Sequence, residues 1–292
     1  MRRTGRPGIV GPMNDLTRLG APIDARPHLA RERESLLALL RSLGPAEWEA
    51  EAVPGWSARD VAAHLLGDDY WRIAGMRDRY RAAPAPAPGE PLAAFVHRNN
   101  QEWVRATARI SPEALVQTLE MTGREVVGLW RAADPHVLGL GVSWAGADPA
   151  PVWLDCAREL TEHWAHRQQI RHATGRPTDP GPQGGLVLDT LMRALPHTLR
   201  DTPAETGTRV RVAVDGPDGG EWTATRTGAG WSLAHAGPGP GGAPAATVRW
   251  DFETAWRLCV RGIGPEEAAR RGDLSGDPGL AGACCRIVSI IR

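Results

Sequence analysis

The apolar residues of this chain change their period after its first 180 residues, and that change limits what it can fold into. Up to Pro180 they recur every three or four positions; in the stretches between Thr208 and Trp250 they alternate. The first pattern buries one stripe of a helix and the second one face of a strand. Leu29, Leu36, Leu37, Leu40 and Leu43 predict a helix over Ala25 to Leu43. Ser57 and Asp60 fit a capping box that opens a second helix, running to about Tyr80. The Pro-rich linker RAAPAPAPGEP follows, then a helix over Leu92 to Ile110. Ser111-Pro112-Glu113 restarts the chain as a helix to about Ala132. A Gly/Pro/Asp loop over Asp134 to Pro151 leads into a long helix, which carries ARELTEHWAHRQQIRHATGRP and stops at Gly175 and Pro177.

After Pro180 a helix over Gly185 to Leu199 precedes four predicted strands, Thr208 to Val214, Glu221 to Thr227, Trp231 to Leu233 and Ala246 to Trp250. Two more helices, Phe252 to Arg261 and Pro278 to Ile291, close the chain. The expected architecture is a helix bundle over 23–180 and a small α+β domain with an antiparallel sheet over 181–292, behind a disordered leader, 1–22.

Charge excludes some partners. The 34 basic residues balance 34 acidic ones, and every one of the basic residues is arginine. Nothing in that balance points to nucleic acid or to an anionic membrane. No apolar run approaches the ~20 residues that span a bilayer, and MRRTGRPGIVGPM lacks the apolar core of a signal peptide. Cys156, Cys259, Cys284 and Cys285 show no metal or redox spacing, so they read as buried free thiols of a cytoplasmic protein. A monomer or a homodimer is expected.

The long helix holds two Glu–His pairs at i,i+4, Glu159–His163 and Glu162–His166. Residues so spaced share a helix face, and a carboxylate with an imidazole can grip one divalent ion. His64 and Asp68 repeat that spacing on the second helix. The helical wheel mildly favours Glu159–His163. Arg72, Arg77 and Arg79 are candidates to anchor an anionic substrate, although a solvated face is the plainer reading. Trp71, Trp103, Trp144 and Trp164 are candidates for a pocket, with simple core packing as the plainer reading.

GWSARDVAAHLLGDD, Gly55 to Asp69, resembles the N-terminal signature of the mycothiol-dependent maleylpyruvate isomerase family. TEHWAHRQQIRHATGRP resembles its second signature, and SGDPGLAGACCRIVSII the end of its C-terminal domain. The resemblance spans roughly Ile23 to Arg292. It implies a DinB-like four-helix bundle and a sterol-carrier-like C-terminal domain. It implies His64, Glu162 and His166 as ligands of a divalent metal, zinc first, with nickel, iron or manganese as alternatives. It also implies mycothiol, the actinobacterial low-molecular-weight thiol, as the nucleophile for S-transfer or cis–trans isomerisation of a small electrophile. Many relatives carry Asp where this chain has Gln169, which puts the isomerase chemistry itself in question. A metal protein with thiol-independent chemistry, or a small-molecule binding module built on the C-terminal sheet, are the competing readings.

Overall fold

The computed structural model describes residues 16–80, 84–235 and 242–290. The chain begins with a 3-10 turn, Leu16–Leu19, followed by α1 (Arg26–Arg41) and the short α2 (Pro45–Trp48). A two-stranded hairpin, β1 (Glu51–Val53) and β2 (Trp56–Ser57), leads into α3 (Ala58–Arg72). Next come α4 (Leu92–Ala106), α5 (Pro112–Ala132) and α6 (Val152–Ala173). The second half holds α7 (Gly184–Leu191), α8 (Leu195–Thr198), β3 (Arg209–Val214), β4 (Gly220–Thr227), β5 (Gly230–His235) and β6 (Ala246–Trp250). It ends with α9 (Phe252–Cys259), α10 (Pro265–Arg271), β7 (Asp273–Gly276) and α11 (Pro278–Cys284).

Local chemistry sets these boundaries. The Ser57 hydroxyl accepts from the Asp60 amide, and Asp60 accepts in return from the Ser57 amide at 3.1 Å, which closes the expected box. Ser111 caps α5 in the same way. Gly175 takes φ 71° just past α6, the left-handed conformation that glycine adopts without strain. The second helix is shorter than its apolar pattern suggests. After Arg72 the chain widens into one π turn, Ile73–Arg77. The helix expected over Gly185 to Leu199 is broken by a 3-10 turn, Met192–Ala194, before α8, with Pro196 in its first turn.

Helices α1, α3, α5 and α6 pack on one another, and α4 lies against α3. Gly67 permits that approach. A Cβ there would lie 2.7 Å from the Trp103 indole, which donates to the Ala63 carbonyl at 2.7 Å. The sheet runs β5-β4-β3-β6-β7. It is mixed rather than purely antiparallel, because β3 and β6 pair in parallel from Val210↔Ala246 to Val214↔Trp250. Strand β7 and helix α10 are additions to the expected pattern. At four and seven residues they are too short for periodicity to register. The last helix ends at Cys284 and not at Ile291.

The two halves share one apolar core. Leu160 and Trp164 of α6 join Val187, Leu191 and Trp256 in it, and Trp164 meets the Trp256 ring edge-on at 5.5 Å. Trp164 is thus core, not pocket. The proposed leader lies mostly outside the described residues, but its last part is built in: Leu19 is fully buried and its carbonyl accepts from the Arg193 guanidinium. Cys156, Cys259, Cys284 and Cys285 are all free and buried. Burial pushes the Cys156, Cys259 and Cys284 thiols up to about 12, which leaves them inert as nucleophiles. Among the described residues no helix is long and apolar enough to cross a membrane.

Candidate metal centre

Helices α3 and α6 face each other with His64 on one and Glu162 and His166 on the other. Glu162 Oε1 lies 3.1 Å from His64 Nε2 and 3.0 Å from His166 Nε2. The ligand atoms of these three side chains all fall within 4.8 Å of one another. The imidazole rings stand nearly perpendicular, with centroids 5.0 Å apart. Two nitrogen donors and one oxygen donor therefore converge on a single point, the donor set that suits zinc and other first-row ions.

The surroundings prepare the imidazoles for that role. Gln169 Oε1 lies 2.7 Å from His166 Nδ1 and can accept its proton, the arrangement in which a bound ion would take the Nε2 lone pair. Gln169 thus supplies the acceptor that orients a ligand, the part of an aspartate's task that needs no charge. Asp68 Oδ2 lies 3.5 Å from His64 Nε2, and the Trp56 ring packs against His64 at 5.2 Å. Burial alone would lower the pKa of His64, but Asp68 and Glu162 outweigh it and hold the value up to about 9. Burial would raise Glu162; His166 and His64 instead hold it well below the usual carboxylate range. A cation entering this cluster would displace a proton from His64 and meet Glu162 already ionised. Replacing Gln169 with Leu removes the acceptor while keeping the bulk. We expect metal affinity to fall about 10–100-fold, measured by chelator competition.

The other Glu–His pair has a different fate. Glu159 and His163 lie with Asp69 in a second cluster, fully inside the protein. Arginines already fill it. Arg33 donates to both Asp69 oxygens, at 3.1 and 2.5 Å, and lies 3.2 Å from His163 Nε2. Arg72 donates to Glu159 at 2.8 Å and to both oxygens of Asp155, each at 2.8 Å. Two fixed guanidinium groups beside the carboxylates exclude a further cation, so this cluster ties α1, α3 and α6 together. Arg72 is therefore no substrate anchor. Arg77 pairs with Asp78 and Glu125 on the surface, and Arg79 is exposed at φ 54°. Trp71 is half-exposed and stacks on Arg72. Trp56, near His64, is the neighbour that the sequence reading missed. It precedes the N-cap of α3, outside any periodic pattern.

Burial would raise Glu159, yet Arg72 and His163 hold it down to about 2. Its folded value lies below the ordinary 4.5, so its contribution is present above pH 4.5 and fades as the pH falls towards about 2. Urea midpoints measured through that window should fall steadily, and less steeply for Glu159→Gln.

Residues 29–171 match the family model described as the mycothiol maleylpyruvate isomerase N-terminal domain. This segment of the chain belongs to that family. The matched span contains His64, Glu162, His166 and Gln169. The crystal structure of the mycothiol-dependent maleylpyruvate isomerase is similar in fold, with a TM-score of 0.53 and 16% identity over 88% of this chain and 95% of that one. The crystal structure of a histidine-to-alanine mutant of that isomerase gives the same values. At that identity the likeness concerns the fold, and it extends beyond the family segment into the sheet half. No curated protein matches the sequence.

Proposed function

We propose that the chain is a divalent-metal-dependent enzyme that uses a low-molecular-weight thiol, mycothiol in the similar isomerase, on a small electrophile. The observation that carries this reading is the convergence of His64 Nε2, His166 Nε2 and Glu162 Oε1. On this reading α1, α3, α5 and α6 are the four helices of a DinB-like bundle over 23–180, and 181–292 is a sterol-carrier-like domain. A divalent ion held by these three side chains would supply a Lewis acid that keeps a coordinated thiol deprotonated at neutral pH.

The chain's own residues do the rest. Glu162 supplies the negative charge, and His64 and His166 the neutral donors. Gln169 holds the His166 ring, and the Trp56 ring shields His64 on one side. Asp68, beside His64 and pushed up by burial, is placed to take a proton released near the cluster. Gln169 itself cannot take up a proton, which favours a second reading: metal chemistry without a thiol.

Metal analysis of the purified protein, followed by a mycothiol-versus-glutathione conjugation screen with a model electrophile, tests both readings. Stoichiometric zinc, nickel, iron or manganese with mycothiol-dependent turnover is the expected result. Metal without thiol turnover selects the second reading. A protein that retains no divalent metal overturns both.

A further inference from the structure

A second cavity is lined by residues outside α6. A cleft of about 570 Å³ opens where the two halves meet, lined by Ser143 and Trp144 from the first half and by His197, Arg200, Arg261 and Arg286 from the second. It shares no residue with the metal cluster or with the arginine network beside it. Its volume is in the range of small-molecule sites, and a seam between two structural units is a common place for one.

Its charge is one-sided. Three arginines face one carboxylate, Asp201, and Arg200 already spends itself on that carboxylate at 3.2 Å and on the His197 carbonyl at 2.7 Å. Arg261 and Arg286 meet no carboxylate among the described residues; Arg286 reaches only the Gly282 carbonyl, at 3.5 Å. Burial lowers the pKa of His197, and the nearby Arg200 and Arg18 charges lower it further against the opposing pull of Asp201. The first residues of α4, Leu92 and Ala93, also line the cleft, and their N-cap is Pro91, which offers no side-chain acceptor. Trp144, Val288 and Ile290 supply an apolar wall.

Arg261 adds a second kind of observation. It has φ 59°, one residue past the C-cap of α9, a conformation that glycine takes freely and a long side chain does not. The turn that ends α9 uses this conformation, with the Gly262 amide donating to the Arg257 carbonyl at 2.7 Å, and an arginine there in place of glycine projects a cation at the cleft.

We infer that this cleft binds a small organic anion, a carboxylate or phosphate joined to an apolar body, held by Arg261 and Arg286. The full-length protein can be titrated calorimetrically with 2-naphthoate, its uncharged analogue 2-naphthol, and inorganic phosphate. Naphthoate should bind saturably at one site and naphthol about tenfold or more weaker. Displacement of naphthoate by phosphate assigns a phosphate-bearing ligand, and absence of displacement a carboxylate.

The double variant Arg261→Gln/Arg286→Gln should weaken naphthoate binding by about tenfold or more. Arg261→Gly, which suits the backbone at that position, should weaken it while leaving the unfolding midpoint equal or higher. Metal content should be unchanged in all variants, and His64→Ala should leave naphthoate binding unaltered. The inference is overturned by naphthol binding as tightly as naphthoate, by wild-type protein that binds neither anion saturably, or by arginine variants that bind as wild type does.

Discussion

Arg72→Met should cost about 3–5 kcal/mol of stability. Arg72 is 3% exposed and lies between α3 and α6. Its guanidinium takes up all three of its strong contacts at once, two with Asp155 and one with Glu159. It also stacks over the Trp130 ring at 4.8 Å. Methionine fills most of the volume but leaves buried Asp155 with Arg158 alone and buried Glu159 with His163 at 3.6 Å. An unpaired buried charge costs more than the pair itself ever contributed.

Two further measurements make this specific. The triple variant Arg72→Met/Asp155→Asn/Glu159→Gln should regain a good part of the loss, because no net charge is then stranded. The deficit of the single variant should also shrink below pH 4.5, where Asp155 and Glu159 can protonate instead. A urea-midpoint change equivalent to less than about 1 kcal/mol, typical of exposed ion pairs, would show that the network is solvated and does not bind the helices together.

That network also explains what the sequence could and could not reveal. Capping boxes and Gly/Pro stops are local, so the starts of α3 and α5 and the end of α6 were legible to within a residue or two. Strand alternation located β3, β4 and β6, because each buries one face. Sheet order was not legible. The parallel pairing of β3 with β6 depends on which edge of β3 the chain returns to after β5, and no local residue encodes that.

At the site, spacing identified two equivalent Glu–His pairs on α6, and the helical wheel leaned towards the one that the structure gives to arginine. The lean was physically sound: Glu159 and His163 are the more deeply buried pair. What the wheel could not show is that Arg33 and Arg72 arrive from α1 and α3 to neutralise it. An ion that a substrate must reach would need partly exposed donors, and Glu162 and His166 are partly exposed. Burial pattern points to the structural pair, so only a long-range contact, or a family signature, can point to the other.

Two histidine variants should therefore part company. His166→Ala removes one of three converging donors and also frees Gln169 from its only described side-chain contact. Loss of an orienting group alone costs about 10–100-fold in metal affinity, so loss of the donor itself should exceed about 100-fold, enough for the ion to wash out on desalting. Stability should change little, because His166 is partly exposed and its neighbours Glu162 and Gln169 can turn to water. His163→Ala should do the reverse. It strands one Arg33 N–H and opens a cavity between α1 and α6, at a cost of about 1–3 kcal/mol. The ion should stay, since none of its donors has moved. Metal content by elemental analysis and urea midpoints on the same preparations read both quantities. If His166→Ala keeps stoichiometric metal while His163→Ala loses it, the ion belongs to the buried cluster and the assignment of His64, Glu162 and His166 fails.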